Sequence, residues 1–226
     1  MYKKITFLLI LTSYCVAQEF TINPQNEHFL EQAWSVNTGG RSCPQYYSIT
    51  VNKRLFKGNR PWEARWNLIK DVIDYEGLNV AELGCCMGLV ATSLKKYRGV
   101  NRAVGVDGTD AFLTKQGSPY RIRAARWFAQ AFDADVQFIQ ADLDNDLNYE
   151  TRIGYDYDVV FCMSLLHWVK DKERLLRYLS HFDHIIFEGH DGPSVEIERF
   201  KKHGFDNHTI IGIGDHQGKT IIHFYK

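Results

Sequence analysis

The sequence has no excess of charge of either sign. Its 226 residues include 27 lysines and arginines and 27 aspartates and glutamates, so the formal net charge is zero with neutral histidines. Proteins that bind nucleic acid need surplus cations for the phosphates, and we therefore expect no nucleic-acid partner. Proline is scarce, at five residues, whereas 45% of the residues are hydrophobic. This composition disfavours a disordered chain and predicts one globular domain with a full core.

The five cysteines follow neither a metal-binding nor a disulfide spacing. Three are isolated along the chain, and Cys85 and Cys86 are adjacent. Neighbouring cysteines cannot readily close a relaxed disulfide or chelate one tetrahedral metal ion together. The pattern therefore predicts no metal site and no redox centre.

The first 17 residues are typical of a targeting signal. Two lysines precede an apolar run over residues 5–17, which is too short to span a bilayer comfortably and ends in C-V-A. We expect a secretory signal or a membrane anchor, with a buried helix or strand as the alternative. Because the lysines precede the run, insertion would carry the following domain across the membrane. We therefore expect a protein that is either exported or associated with a membrane, and a cytosolic location is the alternative.

Strands and helices alternate from about residue 79 onward. Apolar runs predict strands at 80–83, 103–107, 136–139, 157–163 and 184–187, and helical patterns separate them at 89–97, 120–132, 172–180 and 194–203. Two strand-like runs around 215–218 predict a C-terminal hairpin, which must add one antiparallel strand. The alternation predicts an α/β fold with a doubly wound, mainly parallel sheet covered by helices on both faces.

Residues 18–76 follow a different pattern and are predicted to form an N-terminal cap or lid. Residues 46–51 have the composition of a short strand. Pro61 is suited to the start of a helix, since the N–H that proline lacks is not needed in the first turn. Apolar residues recur at helical spacing after it, and Gly77 is expected to stop this helix.

The stretch E-L-G-C-C-M-G, residues 82–88, directly follows the first predicted strand of the sheet. Ligands of doubly wound sheets bind past the carboxyl ends of the strands, so this turn is a candidate binding site. Gly84 permits a tight turn, and Gly88 lets the next helix begin close to a ligand. The signatures G-x-G-x-x-G and G-x-x-x-x-G-K are both missing, which disfavours a nicotinamide oxidoreductase and a phosphate cradle.

Together with the acid that ends A-V-G-V-D, this stretch resembles the first two motifs of class I S-adenosylmethionine-dependent methyltransferases. The family pattern is an acidic residue followed by three alternating glycines, and here Cys86 stands in place of the middle glycine. The resemblance covers residues 60–226 and implies a seven-stranded sheet of order 3-2-1-4-5-7-6 with an antiparallel C-terminal hairpin strand. It also implies S-adenosylmethionine as the cofactor, bound by a domain over residues 77–226.

The resemblance further implies roles for single residues at the cofactor. The matching positions are Glu82, Gly84, Cys86, Gly88, Asp107, Asp142, Leu143 and Ser164. Asp107 would accept hydrogen bonds from the ribose hydroxyls, and Asp142 would contact the adenine amino group with Leu143 beside the ring. Each acid has the alternative of an ordinary loop acid or helix cap, and Asp144 competes with Asp142.

The implied reaction is methyl transfer, in which the protein mainly positions the nucleophile and excludes water. A hydroxyl nucleophile gains from a general base, so the candidate catalytic residues are His167, Glu188 and His190, which follow or end the fourth and fifth strands. No D/N-P-P-Y/W stretch follows the fourth strand, which disfavours N-methylation. O-methylation of a small molecule or a glycan is the function that we predict.

Many members of this family place a substrate lid before the core. Four side chains are therefore candidate acceptor contacts, with a purely structural cap as the alternative: Tyr46, Tyr47, Arg60 and Arg65. The targeting-like N terminus conflicts with S-adenosylmethionine, which is made in the cytosol. A catalytically inactive binding module of the same fold, exported or membrane-anchored, is therefore the second hypothesis.

Overall fold

A computed structural model describes four segments of the chain, namely residues 19–36, 45–108, 121–214 and 218–226. The predicted signal over residues 1–17 lies outside the described residues. Within those four segments, no helix combines the length and the apolar character needed to cross a membrane.

The elements follow one another in a βα alternation after an irregular N-terminal region. In chain order they are a 3-10 turn (Pro24–Asn26), α1 (Glu27–Ser35), β1 (Tyr47–Val51), β2 (Arg54–Phe56), β3 (Arg60–Pro61), α2 (Trp62–Ile69), β4 (Asn79–Leu83), α3 (Leu89–Tyr97), β5 (Arg102–Asp107), α4 (Arg121–Ala131), β6 (Gln137–Gln140), α5 (Tyr149–Ile153), β7 (Val159–Met163), α6 (Lys172–Leu179), β8 (His184–Glu188), α7 (Pro193–Lys201), β9 (Asn207–Ile213) and β10 (Thr220–Tyr225).

The main sheet has seven strands in the order β6-β5-β4-β7-β8-β10-β9. Strands β4 to β8 pair in parallel, whereas β10 runs antiparallel to both β8 and β9. Numbered within the sheet, this order is 3-2-1-4-5-7-6. The predicted α/β fold, its doubly wound and mainly parallel sheet and its C-terminal hairpin are therefore confirmed.

Helices cover both faces of this sheet because its central strands are apolar on both sides. Every residue of β7 is buried. Neighbouring residues of a strand point to opposite faces, and Val160 and Phe161 accordingly belong to two different apolar clusters. The cluster around Phe161 also includes residues of α3 and α4, and the cluster around Val160 includes residues of α6 and α7. Such two-sided burial is typical of parallel sheets.

The N-terminal region packs directly on the sheet and its helices. Strands β2, β1 and β3 form a separate three-stranded sheet. Trp62 and Trp66 of α2 are fully buried in the same cluster as Phe128 of α4. The helix predicted from Pro61 to Gly77 is shorter than expected, since α2 ends at Ile69. The predicted division into residues 18–76 and 77–226 stays a prediction.

Candidate cofactor and acceptor site

The turn after β4 is tied to the end of β5 by two hydrogen bonds. The Cys85 amide donates to the Val106 carbonyl at 2.9 Å, and the Cys86 amide donates to Asp107 Oδ2 at 2.6 Å. Cys86 has a φ of +50°, a left-handed conformation that non-glycine residues seldom adopt. The cysteine therefore takes the backbone conformation that a glycine would take more easily. The structure therefore brings the predicted loop, residues 82–88, into contact with the predicted acid, Asp107.

Two glycines of this turn are also required by close packing. Gly84 and Gly88 both have positive φ, at +70° and +66°. A Cβ on Gly84 would lie 2.9 Å from Leu165 Cδ1, and a Cβ on Gly88 would lie 2.6 Å from Phe138 Cε1. The turn is therefore in contact with the loop after β7 on one side and with β6 on the other.

Glu82 lies beneath the turn rather than in an open cleft. Its side chain is buried, and Oε2 accepts a hydrogen bond from the Ala91 amide at 3.0 Å, in the first turn of α3. Burial raises the pKa of Glu82 to about 8, against the opposing effect of the backbone N–H groups of Ala91 and Val90. The charge of Asp107 raises this pKa further.

Asp107 keeps acceptor capacity at the carboxyl end of β5. Oδ2 accepts from Cys86, and Oδ1 accepts from the Gly108 amide at 2.8 Å. The Arg121 guanidinium lies 3.8 Å from Oδ1 as an ion-pair partner. A carboxylate offers about four lone-pair sites, so each oxygen that accepts one backbone N–H can accept a further donor. These two acceptor oxygens fit a ligand that donates hydrogen bonds from two neighbouring hydroxyls.

Asp142 follows β6 at the same edge of the sheet. The preceding Ala141 amide donates to the Asp107 carbonyl at 2.9 Å. The Asp142 carboxylate accepts from the Asp144 amide at 2.9 Å, from the Asn145 amide at 3.0 Å and from Asn145 Nδ2 at 2.8 Å. Burial acts to raise the pKa of Asp142, but these hydrogen bonds outweigh it and the pKa is lowered. The described contacts of Asp142 are those of a turn cap, and Leu143 is half-buried beside it.

A buried ion pair joins the N-terminal region to the end of β8. Glu188 is fully buried, and its two oxygens accept from Arg65 Nη2 at 2.6 and 2.7 Å. The Ser164 hydroxyl donates to Glu188 Oε2, and Arg65 Nη1 donates to the Tyr47 hydroxyl. Burial lowers the pKa of Arg65, but Tyr47 and Glu188 raise it above its ordinary value overall. Four residues predicted separately therefore form one network.

The two candidate histidines stack on each other beyond this network. The rings of His167 and His190 have centroids 4.6 Å apart and an interplanar angle of 22°. With Glu188 and Arg199 they line a cavity of about 40 Å³. Partial loss of solvent lowers the pKa of His190, which is still largely exposed, to about 4, and the charge of Lys219 adds to that effect.

Lys219 is a site residue that the sequence analysis missed. It is only 8% exposed, and its ammonium donates to Ser164 Oγ at 3.4 Å. The signal available in the sequence is its place directly before the last strand, which is antiparallel and therefore starts at the edge where the parallel strands end.

The predicted lid residues Tyr46 and Arg60 lie against each other near this edge. The Arg60 guanidinium is 4.8 Å from the centroid of the Tyr46 ring. Burial raises the pKa of the Tyr46 hydroxyl, Arg60 opposes this effect, and Cys86 and Glu188 add to it. Tyr46 is thus within electrostatic reach of both the motif turn and the end of β8.

Cys85, Cys86 and Cys162 are free thiols buried in the described structure. Burial raises the pKa of Cys86 and of Cys162 to about 12, so both thiols are protonated at neutral pH. Over the ranges that the structure describes, no three histidine, cysteine or acidic side chains are grouped to hold a metal ion.

Comparisons with known proteins find similarity to methyltransferases. Residues 81–181 match the family model described as a methyltransferase domain. A juvenile hormone acid O-methyltransferase of Bombyx mori is 27% identical over 135 residues, which cover 56% of this chain. The match spans only 44% of that relative's length.

Solved structures share the fold over most of the chain. The N-terminal domain of EvdMO1 with SAH bound has a TM-score of 0.64 at 13% identity, covering 88% of this chain and 96% of that one. An S-adenosylmethionine dependent methyltransferase from Mesorhizobium loti has a TM-score of 0.54 at 16% identity, covering 72% of this chain and 98% of that one.

Proposed function

We propose that this chain, whose residues 81–181 match a methyltransferase domain, is a class I S-adenosylmethionine-dependent methyltransferase that moves a methyl group from S-adenosylmethionine to an oxygen of a small-molecule acceptor. The single observation that carries the proposal is the hydrogen bond from the Cys86 amide to Asp107 Oδ2, which joins the motif turn to the acid at the end of β5. The turn after β4 and the acid at the end of β5, which carry the two family motifs, are thus in direct contact.

S-adenosylmethionine supplies an electrophilic methyl group when it is bound. In our proposal Asp107 binds the ribose hydroxyls through its remaining acceptor positions. The backbone of residues 84–88 holds the methionine part, and Asp142 and Leu143 contact the adenine. Ser164, next to Leu165 and to the Glu188 carboxylate, marks the start of the acceptor side.

Oxygen as the acceptor atom is supported by the Bombyx mori relative, whose name describes an acid O-methyltransferase. It is also supported by the absence of a D/N-P-P-Y/W stretch after β7. His167 and His190 stand beside the acceptor side and orient the acceptor in this proposal. Glu188, paired with Arg65, positions Ser164 rather than removing a proton.

The cofactor site is tested by titrating the full-length chain with S-adenosylhomocysteine in a calorimeter. We expect saturable binding, weakened at least tenfold in Asp107→Asn because the amide replaces one acceptor oxygen by a donor. Asp156→Asn is the matched control, since the Asp156 side chain is 86% exposed. An affinity that Asp107→Asn leaves unchanged would contradict the proposed site.

A transfer assay, read together with this titration, separates the two hypotheses about function. Binding of S-adenosylhomocysteine without transfer of label from tritiated S-adenosylmethionine to any acceptor would favour the inactive binding module.

We also propose that residues 1–17 serve as a targeting segment or an anchor. Sequencing of the mature protein tests this, because Gln18 as the first residue would demonstrate cleavage after Ala17.

A further inference from the structure

We propose that the acceptor is an amphipathic molecule, whose polar end lies in the cavity beside His167 and His190 and whose uncharged, apolar tail lies in the groove between α6 and α7. This inference rests on the proposed methyl transfer and names the acceptor class of the same site. It is carried by the sizes of the two spaces, by the residues that they share and by the chemistry of their walls.

The cavity beside the two histidines is too small for a whole acceptor. Its volume is about 40 Å³, whereas pockets for small molecules commonly measure about 300 to 1,000 Å³. Glu188 lines this cavity, and the same carboxylate accepts a hydrogen bond from the Ser164 hydroxyl at the start of the proposed acceptor side. The cavity therefore has room for one polar group of the acceptor, next to the place where we put methyl transfer.

The groove between α6 and α7 supplies the space that the cavity lacks. Its volume is about 640 Å³, which lies within the range of small-molecule pockets. Lys172 and Arg199 line both the cavity and the groove, so the two spaces meet at these two side chains. A molecule held at the histidines can therefore extend past them into the groove.

The two shared side chains differ in how firmly they are held. Arg199 Nη2 lies 2.8 Å from Asp191 Oδ2, and Arg199 Nη1 donates to Glu196. Lys172 is exposed at the start of α6, and a lysine side chain is flexible along its four-carbon stem. The arginine thus forms a fixed wall of the passage, and the lysine can move aside for a tail.

The walls of the two spaces differ in polarity. Polar atoms make up most of the exposed wall of the cavity, whereas apolar atoms make up most of that of the groove. Leu176 of α6 and Val195 of α7 contribute apolar side chains to the groove, and Val195 is 51% exposed. A hydrocarbon tail that covers them removes apolar surface from water on both sides of the contact, which favours binding.

The charges along the groove favour a tail without charge. Arg199 is paired with two acids that lie outside the groove, and His203 Nε2 is 3.5 Å from Glu173 Oε1. The remaining charged side chains of the lining are two glutamates and two lysines: Glu173, Glu198, Lys172 and Lys202. Because these charges balance, the groove selects neither an anionic nor a cationic tail.

The experiment measures how binding depends on tail length, with the full-length chain saturated with S-adenosylhomocysteine. The probes are the n-alkanols and the n-alkanoates of four, six, eight and ten carbons, so the tail effect is read with two kinds of polar end. Calorimetry gives the Kd of each probe. The same eight compounds are then offered as acceptors with tritiated S-adenosylmethionine.

Two variants change the groove and one control leaves it intact. Val195→Asp places a charge on the apolar wall, and Ser194→Trp, at an exposed position of the lining, fills the groove. Ile213→Asp is the matched control, since Ile213 is 64% exposed on β9 and does not line the groove. Binding of S-adenosylhomocysteine to each variant shows that it is folded.

We expect the affinity to rise about two- to fourfold with each added methylene until the groove is filled. In Val195→Asp and Ser194→Trp the ten-carbon probes should bind about tenfold more weakly or worse, while the four-carbon probes and Ile213→Asp are unaffected. Transfer of label should show the same pattern as a rise in KM with kcat unchanged, because the tail binds equally in the ground state and in the transition state.

An affinity independent of tail length, or a dependence that both groove variants retain, would overturn the inference. Label in none of the eight compounds would also overturn it and, with S-adenosylhomocysteine still bound, would leave the cofactor site standing. A dimer that light scattering detects in the wild type but not in Val195→Asp would assign the groove to a second copy of the chain instead of the acceptor. Loss of S-adenosylhomocysteine binding in the wild-type chain would overturn the proposed function itself.

Discussion

Arg65 and Glu188, 123 residues apart in the sequence, form an ion pair in which Nη2 lies 2.6 and 2.7 Å from the two carboxylate oxygens. Their side chains are 2% and 0% exposed. The pair joins α2 of the N-terminal region to the end of β8, so a buried ion pair adds to the apolar packing that holds the predicted lid on the sheet.

Removing one partner of this pair is expected to cost about 3–5 kcal/mol in the free energy of unfolding, because the other charge stays buried. We predict this loss for Arg65→Met in urea denaturation at pH 7. Arg65→Met combined with Glu188→Met should recover much of it, since neither charge of the pair remains. Arg54→Met is the control, because the Arg54 side chain is 52% exposed and should lose about 1 kcal/mol or less. A double variant as unstable as Arg65→Met would contradict the account.

Gly88 is predicted to tolerate no side chain. In Gly88→Ala the new Cβ would lie 2.6 Å from Phe138 Cε1 at a φ of +66°, so both a clash and backbone strain arise. We expect a loss of about 3 kcal/mol or more in unfolding free energy, measured by denaturation, and weaker binding of S-adenosylhomocysteine.

The matched control is Gly218→Ala, which has a φ of +72° but no atom of the described residues within 4 Å of the added Cβ. It should show the strain alone, about 1–2 kcal/mol. Gly88→Ala combined with Phe138→Leu should recover part of the loss. Equal losses at the two glycines would show that packing against β6 is not the reason for Gly88.

Glu82 is expected to make the free energy of unfolding decrease as the pH rises, which is the reverse of the usual effect of an acidic residue. Burial raises its folded pKa to about 8 from an ordinary value of 4.5, so the folded state holds the proton more tightly. Its stabilising contribution is full below pH 4.5 and is lost as the pH rises through 8, at up to about 1.4 kcal/mol per pH unit. We predict that Glu82→Gln flattens the fall in unfolding free energy between pH 5 and pH 8.

This prediction is checked by urea denaturation at pH 5, 6.5 and 8. Glu198→Gln, at an exposed position of α7, serves as the control and should follow the wild-type pH dependence. Parallel pH profiles for the two variants would show that Glu82 is not the group responsible.

Local chemistry explains which elements could be predicted from the sequence. Helix α3 occupies the predicted residues, because Gly88 and Gly99 mark its two ends. Helix α2 ends earlier than its apolar spacing predicts, since the chain turns back and the Tyr75 hydroxyl donates to the Ile69 carbonyl at 2.7 Å. Spacing along one segment carries no information about such a contact. The short elements α5, β2 and β3 were missed because their periodicity is too brief to stand out. Helix α1 was also missed, although it is as long as α3.

The candidate site was predictable where one stretch of sequence contains its parts. Residues 82–88 and Asp107 follow family motifs, and the structure places them in direct contact. The partners of Glu188 and Ser164 could not be predicted, since Arg65 and Lys219 come from distant segments and only the fold brings Arg65 to Glu188 and Lys219 to Ser164. Asp142 shows the opposite case, because its motif position was clear while its described contacts belong to the local turn.

The reversed direction of β10 divides the functional edge of the sheet between two kinds of connection. On the side of β4 and β5 the candidate site residues follow strands, whereas Lys219 on the side of β10 precedes one. In our proposal the turns after β4 and β5 hold the cofactor, so we expect a substitution at the start of β10 to act on the acceptor side and to leave cofactor binding intact.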